Sequence, residues 1–277
     1  MKRKYKLLPD DTITVDGITL YRIEALIDMP EICVKVGKLG GYIEKEQNLS
    51  HDGRCWVYNK ARVFGNAQVF GDALIFDNGL VYGNAQVFGN ALVHGNARVY
   101  GNAQVYDNAQ VFDYACVYHK AQVFGGARVY GNAWVYHTAW VYNNARVYHT
   151  AWVYHTARVF GEAEVYSNAQ VFGNSQVYNK AHVFDNARVY GNAQVFDNAR
   201  VYHKAQVFDN ARVYGNSQVC GESQVYNKAQ VFGDTWSFDK AQVFGNARIF
   251  GTAQVCGVKS VYTASLSCGI HKKNRYL

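Results

Sequence analysis

A chain of 277 residues with a formal charge of +7 is long enough for one large domain or two small ones. Only two prolines and 18% charged residues, against 49% hydrophobic ones, exclude a disordered chain. No apolar run approaches the ~18 residues that span a bilayer, so we expect no membrane partner. The basic start Met1–Lys4 is followed by Leu7-Leu8 and directly by Pro9-Asp10-Asp11. This leaves no secretory signal, and we expect a cytoplasmic protein.

A six-residue repeat fills most of the chain. Every sixth residue from Val57 to Val261 is apolar except Ser237, which makes 35 units in phase without an insertion or deletion. The unit reads Val-[Phe/Tyr]-[Gly/Asp/His/Asn]-Asn-Ala-[Gln/Arg], as in Val189-Tyr190-Gly191-Asn192-Ala193-Gln194. Such a period is typical of a solenoid, in which each repeat contacts only its neighbours.

Side-chain alternation assigns a place to each position of the unit. In Ala-x-Val-[Phe/Tyr], a short strand puts Ala and Val on one side and the other two residues on the opposite side. We therefore expect a narrow interior of Val and Ala, with Phe and Tyr outside. The third position departs from Gly, Asn, Asp and His only at Ser167 and Thr263. Those four residue types tolerate a positive φ, which predicts a left-handed corner. The Asn that follows predicts hydrogen-bonded ladders between coils.

The repeat resembles that of the hexapeptide-repeat left-handed parallel β-helix, whose unit begins with an aliphatic residue and has a small residue at the fifth position. The resemblance covers residues 55–262 and leaves residues 263–277 as a C-terminal tail or cap. It implies an all-β, left-handed, triangular solenoid in which three units make one coil, so the 35 units make about 11–12 coils. One difference lies at the second position, which is small in that family but Phe or Tyr in 32 of the 35 units here.

The segment before the repeat has another character. Residues 1–54 carry nine basic and nine acidic side chains and include Ile13–Tyr21, which predicts a hairpin. We interpret them as a small N-terminal β cap, because an open parallel edge promotes aggregation. Leu39–Glu46, Asn48–Ser50 and Cys55–Tyr58 are similar to the lead-in of a group of bacterial and phage repeat proteins, some of which carry a transferase label.

The outward rings allow two interpretations. Rings that are 18 residues apart form three columns along the solenoid. In the structural interpretation, stacked rings cover one another and the Gln or Arg beside them, which stabilises a thin core. In the functional interpretation, the columns are adhesive faces for a partner or for a second copy of the chain.

Departures from the repeat mark a candidate binding site. The sixth position is mostly Gln or Arg but is Trp at three places between residues 134 and 152. The candidate residues are Trp134, Trp140, Trp152, Tyr118, Tyr136, Tyr154, His119, His137, His155, Arg146 and Arg158. Trp, Tyr and Arg dominate interface hot spots, and such rings also stack on bases and sugars. The alternative is repeat drift, because Trp is another outward ring and His is another residue that accepts the corner conformation.

The sequence favours a chain without catalysis, metal or cofactor. His119, His137 and His155 lie in a flat column, whereas zinc needs ligands that converge. The hexapeptide resemblance implies an alternative, an acyl-CoA-dependent acyltransferase with a His base in a cleft between subunits. The 35 units contain no loop to overhang such a site, and the pattern places no Asp or Glu beside the His side chains.

These observations predict a rigid binding or scaffold surface. A protein is the favoured partner, and a small nucleotide or sugar is an alternative ligand. Nucleic acid is less favoured, because residues 55–258 hold 15 basic and 12 acidic side chains, a net charge of only +3. The N-terminal resemblance suggests a phage or prophage accessory protein that binds a host factor. A homo-oligomer that assembles through its aromatic faces is a further alternative.

Overall fold

The fold is all-β and is built from very short strands. The computed structural model describes residues 3–257, 260–262, 265–266 and 270–271. The chain forms two compact units, Met1–His137 and Thr138–Leu277. Among the described residues the only helices are two 3-10 turns, Pro30–Ile32 and Glu46–Asn48, and neither has the length and apolar character to cross a membrane.

The first unit begins with three longer strands and continues with two-residue strands. They are β1 (Tyr5–Val15), β2 (Ile18–Ala25), β3 (Leu39–Ile43), β4 (Trp56–Val57), β5 (Arg62–Val63), β6 (Gln68–Val69), β7 (Leu74–Ile75), β8 (Leu80–Val81), β9 (Gln86–Val87), β10 (Leu92–Val93), β11 (Arg98–Val99), β12 (Gln104–Val105), β13 (Gln110–Val111), β14 (Cys116–Val117), β15 (Gln122–Val123), β16 (Arg128–Val129) and β17 (Trp134–Val135). Every third strand joins the same sheet, and each sheet is named here by its first and last parallel strand in the unit. The β5–β17 sheet contains β5, β8, β11, β14 and β17, the β4–β16 sheet contains β4, β7, β10, β13 and β16, and the β6–β15 sheet contains β6, β9, β12 and β15.

The second unit consists of two-residue strands alone in its described part. They are β18 (Trp140–Val141), β19 (Arg146–Val147), β20 (Trp152–Val153), β21 (Arg158–Val159), β22 (Glu164–Val165), β23 (Gln170–Val171), β24 (Gln176–Val177), β25 (His182–Val183), β26 (Arg188–Val189), β27 (Gln194–Val195), β28 (Arg200–Val201), β29 (Gln206–Val207), β30 (Arg212–Val213), β31 (Gln218–Val219), β32 (Gln224–Val225), β33 (Gln230–Val231), β34 (Trp236–Ser237), β35 (Gln242–Val243), β36 (Arg248–Ile249), β37 (Gln254–Val255), β38 (Ser260–Val261), β39 (Ser265–Leu266) and β40 (Ile270–His271). Its parallel sheets are β20–β38, β19–β40 and β18–β39.

Strand pairing confirms the solenoid and its coil length. In the first unit Leu92 pairs with Gln110, and in the second Gln206 pairs with Gln224, so each coil takes 18 residues and adds one strand to each of three sheets. The two units together contain about 12 coils, as the repeat count predicts. The left hand of the solenoid stays a prediction from the resemblance.

The interior confirms the predicted inward positions. The Val and Ala of the units are fully buried, as at Ala97 and Val99 in the first unit and Ala205 and Val207 in the second. Most second-position rings lie outside, are half-buried and stack from coil to coil. The centroids of Phe88 and Tyr106 are 4.8 Å apart at an interplanar angle of 1°. This regular stacking supports the structural interpretation of the columns.

The corners also have the predicted conformation. Every described third-position residue has a positive φ, 71° at Gly101, 58° at Asp107 and 60° at His119. The Asn at the fourth position forms ladders, since Nδ2 of Asn84 donates to Oδ1 of Asn102 at 3.2 Å. Thr263, the last third-position residue, lies outside the described residues.

The N-terminal residues form the predicted hairpin, which continues into the first parallel sheet of the solenoid. β1 and β2 pair antiparallel around a turn at Asp16-Gly17. β3 pairs antiparallel with β2 and parallel with β5, so one strand joins the two kinds of sheet. This strand lies against the first coil because it carries glycines, since a Cβ on Gly40 would be 2.6 Å from the carbonyl oxygen of Val57.

Side chains from the N-terminal segment pack against the start of the first coil and form hydrogen bonds with it. The ammonium group of Lys4 is buried and donates to the carbonyl oxygen of Cys55 at 2.9 Å. The hydroxyl of Tyr5 donates to the carbonyl oxygen of Leu49 at 2.7 Å, and its ring meets the buried Trp56 edge-on. Buried Asn48 donates to the carbonyl oxygen of Ala67 at 2.8 Å. These contacts agree with a capping role, while the division into residues 1–54 and 55–262 stays an interpretation.

The predicted C-terminal tail or cap, residues 263–277, falls largely outside the described residues. Only Ser265–Leu266 and Ile270–His271 are described there, as β39 and β40. Ser265 pairs with Arg248 and Ile270 pairs with Gln254, and in both pairs the partners are closer in the sequence than one full coil. The regular coil spacing therefore ends with β38.

The core of the second unit contains hydroxyl groups in place of hydrocarbon. Ser217, Ser223 and Thr235 replace Ala, and Ser237 replaces Val. The hydroxyl of Ser223 lies 2.7 Å from the carbonyl oxygen of Cys220. The buried hydroxyls of Thr235 and Ser237 have no hydrogen-bond partner among the described residues. An unsatisfied buried hydroxyl is destabilising, so β34 is a weak point of the core.

We expect Ser237→Val to raise the free energy of unfolding by about 1–3 kcal/mol, because it removes the unsatisfied hydroxyl and places Val between Val219 and Val255. The measurement is the midpoint of urea unfolding followed by circular dichroism. Ser223→Ala is the matched control and should give no gain, because its hydroxyl already has a carbonyl acceptor. An unchanged or lower midpoint for Ser237→Val would contradict this account of the core.

Candidate functional site

The two units divide the eleven candidate residues into two groups. The first unit holds Tyr118, His119, Trp134, Tyr136 and His137, and the second holds Trp140, Arg146, Trp152, Tyr154, His155 and Arg158. Within the second unit the residues lie on three different sheets, because consecutive units of the repeat turn a corner. In that unit, Trp152, Tyr154 and His155 therefore lie on one sheet, Trp140 and Arg158 on a second, and Arg146 on the third.

The first-unit group lies on β14 and β17 of the β5–β17 sheet and in the corners that follow them. The rings of Tyr118 and Tyr136 stack at 4.9 Å, and the indole of Trp134 meets Tyr118 edge-on at 6.2 Å. His119 and His137 stack at 5.1 Å in the adjoining corner. Trp134 keeps 40% of its surface exposed. We call Tyr118, His119, Trp134, Tyr136 and His137 the Trp134 face.

The second-unit counterpart lies on the β20–β38 sheet. Trp152 is 37% exposed. The ring of Tyr154 stacks on Phe172 at 4.8 Å, and His155 lies 5.0 Å from Tyr154. We call Trp152, Tyr154 and His155 the Trp152 face. It combines an exposed indole, a stacked phenol and a corner imidazole, as the Trp134 face does.

Trp140 and Arg158 lie together on the β18–β39 sheet. They are strand partners in β18 and β21, and the guanidinium carbon of Arg158 lies 4.7 Å from the centre of the Trp140 ring. This geometry is that of a cation–π contact, which holds both side chains against the sheet. The pair is therefore separated from the Trp152 face by a corner of the coil.

Arg146 belongs to a polar cluster on the β19–β40 sheet. Its guanidinium donates to Glu164 at 3.1 Å, and the hydroxyl of Tyr148 donates to the same carboxylate at 2.9 Å. Nδ1 of His182 lies 3.8 Å from Glu164. Burial lowers the pKa of His182, although the Glu164 carboxylate acts in the opposite direction. The cluster is a charge network on the outer face of the sheet.

This cluster corrects the expectation that no acidic side chain lies beside a His. Glu164 is the single acidic residue at the sixth position, and His182 follows it by 18 residues. The coil length therefore places the two side chains in one column. Asp185 and His203 have the same relation in a corner, where Nε2 of His203 lies 3.8 Å from Oδ2 of Asp185. Both pairs could have been predicted from the sequence, because in each the acidic residue and the His are 18 residues apart.

The corners of the second unit carry further charges but form shallow, open grooves. Lys204 and Lys240 lie 3.4 and 3.9 Å from Glu222. Within the described ranges no three His, Cys, Asp or Glu side chains come together as a group that would hold a metal ion. What these faces and corners offer is a set of rings and charges at fixed spacing on rigid sheets.

Comparison with known proteins supports the fold. Six segments match the family described as YdcK Beta solenoid repeat, namely residues 85–101, 121–137, 127–142, 193–207, 205–221 and 241–257. Together they cover less than half of the chain. A search of curated proteins finds no match. The chain is therefore similar to a β-solenoid repeat family, in agreement with its stacked coils.

Burial raises the pKa of the Tyr118 phenol to about 12, and Tyr100 and Tyr136 act in the same direction. An unfolded tyrosine ionises near pH ~10. Because the folded state binds this proton more tightly, the stabilisation is complete below about pH 10 and is lost as the pH rises towards 12. We expect Tyr118→Phe to reduce the alkaline fall of the urea midpoint over that range.

The matched control for Tyr118→Phe is Tyr114→Phe, which removes a phenol that is 61% exposed in the same unit. The control should follow the pH dependence of the parent chain more closely. If the urea midpoints of the parent and Tyr118→Phe fall equally with rising pH, the pKa of Tyr118 is not raised by burial in the ladder.

Proposed function

We propose that the chain is a cytoplasmic, non-catalytic scaffold that binds a protein partner through the Trp134 face and the Trp152 face. The observation that carries the proposal is the exposure of two indoles, 40% at Trp134 and 37% at Trp152, on strands whose inner sides are closely packed. Large apolar rings that are exposed on a rigid support are typical anchors of protein interfaces.

The support of each indole is rigid. In the first unit the amide of Tyr118 donates to the carbonyl oxygen of Val135 at 3.0 Å, which ties β14 to β17. In the second, the amide of Trp152 donates to the carbonyl oxygen of Ala169 at 2.9 Å, which ties β20 to β23. A partner therefore orders few groups when it binds, and the entropic cost of association stays low.

The charge beside each indole indicates the chemistry of the partner. Exposed Arg98 lies two strands from Trp134 in the β5–β17 sheet, and exposed Arg188 lies two strands from Trp152 in the β20–β38 sheet. Two strand spacings correspond to about 10 Å. A complementary protein surface has an apolar pocket for the indole and a carboxylate at that distance. The formal charge of +7 also favours an acidic partner.

The biological role that we propose is that of a phage or prophage accessory protein that binds a host factor. It rests on the resemblance of Leu39–Glu46 and the residues that follow to phage and bacterial repeat proteins. The hexapeptide resemblance supplies the competing function, an acyltransferase that uses acyl-CoA. Self-assembly through the aromatic faces is the other competitor.

We expect Trp134→Gln and Trp152→Gln each to weaken partner binding by about tenfold or more, the loss typical of a hot-spot residue. Gln is the common residue at this position, so the melting temperature should stay nearly unchanged. The measurement is affinity capture from a host lysate, with the partner identified by mass spectrometry and then titrated as a purified protein. Trp140→Gln is the matched control, because that indole already lies against Arg158, and it should retain binding.

Other outcomes distinguish the competing functions. Equal partner affinity in the parent chain and both Trp→Gln variants would show that the two faces do not bind the partner and that their Trp residues are repeat drift. Heat of binding with acetyl-CoA would favour the transferase, and oligomers in light scattering that disappear in the variants would favour self-assembly. A steep fall of binding with salt would indicate nucleic acid as the partner.

A further inference from the structure

A lysine ammonium group and a cysteine thiol are in contact where the N-terminal segment meets the first coil. Lys4 is 1% exposed and Cys55 is fully buried. Nζ of Lys4 lies 3.1 Å from Sγ of Cys55. The two residues are 51 positions apart in the sequence, so the contact joins the residue before β1 to the residue before β4. An amine and a thiol at this distance are close enough to form a bond once the sulfur is oxidised.

The surrounding backbone holds both groups in place. The ammonium group of Lys4 donates to the carbonyl oxygen of Cys55 at 2.9 Å, and it lies 3.4 and 3.3 Å from the carbonyl oxygens of Asp52 and Gly53. The thiol of Cys55 lies 3.4 Å from the carbonyl oxygen of Ser50. These contacts hold Nζ against the sulfur, so an oxidised sulfur would meet the amine before any other nucleophile.

Only a thin layer of chain separates the pair from solvent. Asp52 and Gly53, whose carbonyl oxygens contact the ammonium group, are exposed residues of a segment that forms no strand. A water-sized oxidant therefore reaches the sulfur when this segment opens locally.

The thiol has limited reactivity of its own. Burial raises the pKa of the Cys55 thiol, and the charge of Lys4 acts in the opposite direction. The thiol is therefore protonated near neutral pH, and we expect it to react more slowly than an exposed thiol. Cys33 provides that comparison, because it is exposed in the same unit.

We propose that peroxide converts this contact into a reversible covalent bond between Nζ of Lys4 and Sγ of Cys55. Peroxide oxidises the Cys55 thiol to a sulfenic acid and is reduced, with release of one water. Nζ then attacks the sulfur, so that an S–N bond forms and the S–O bond breaks. The ammonium group loses two protons. One converts the leaving hydroxide to water, and the other goes to solvent.

The product is a sulfenamide, the bond that sulfenic acids form with a nearby nitrogen. A thiol reductant reverses it, because the thiol attacks the sulfur and releases the amine. While the bond exists, the start of β1 cannot separate from the start of β4. The site is thus a redox-controlled lock between the N-terminal segment and the first coil, and it is independent of the Trp134 face and the Trp152 face.

The test treats the full-length folded chain with hydrogen peroxide, blocks the remaining thiols after unfolding, and maps the peptides by mass spectrometry. We expect a joined pair of peptides that contain Lys4 and Cys55, lighter by two hydrogens than their sum. Dithiothreitol should separate them. The same treatment in urea should give no such pair, because unfolding removes the contact. Cys33 should be oxidised without joining a lysine, because Lys38 donates to its carbonyl oxygen and no amine lies at its sulfur within the described residues.

Two variants test each side of the bond. Cys55→Ser removes the sulfur and should give no joined pair. Lys4→Arg keeps a cation beside the carbonyl oxygens but removes the amine, so oxidised Cys55 should stay a sulfenic acid that dimedone traps. Circular dichroism shows whether each variant is folded, and the comparison of the folded and unfolded parent needs neither of them.

Three results would overturn the proposal. The first is a folded parent that gives no joined pair when Cys33 is fully oxidised. The second is a pair that forms equally in urea. The third is an equal loss of two hydrogens at Cys55 in folded Lys4→Arg, which would show that the amine is not the nucleophile.

Discussion

The hydrogen-bonded register between successive coils is the constraint on which the fold depends. Within each unit a strand pairs with the strand one coil away, so equivalent positions of the repeat lie directly over one another. The register buries each Val over a Val and stacks each ring on a ring at the strand spacing. A shift by one coil along the solenoid therefore repeats the sheet hydrogen bonds, the core packing and the ring stacking together. A residue type that packs well in one coil also packs well in the next.

Such a register turns each departure from the repeat into a defect in one column. Ser237 introduces a hydroxyl into an aliphatic column, and Cys220 removes a ring from an aromatic one. The effects differ because the two columns face different surroundings. Inside the coil no water is available to bond a hydroxyl, so the cost falls on stability. Outside it Cys220 removes ring contacts from one aromatic column, while its own side chain stays only 8% exposed.

The same regularity shapes the functional surfaces. The exposed indoles of Trp134 and Trp152, which we propose as anchors for a protein partner, lie on the β5–β17 and β20–β38 sheets. Each indole projects from a strand that is already held by coil-to-coil hydrogen bonds, so the proposed binding would order few groups.

The amino-acid sequence alone determined the buried Val and Ala, the outward rings and the left-handed corners at residues such as His119, because these follow from local alternation and backbone preference. The length of the coil, three units, was implied by the resemblance to the hexapeptide repeat. The sequence also contained the pairing of Glu164 with His182, as a spacing of 18 residues. The tertiary structure decided the rest. It placed Trp140 against Arg158, on a different sheet from Trp152. Side-chain contacts across coils depend on rotamers and on which of three sheets each strand joins, and no local rule specifies these.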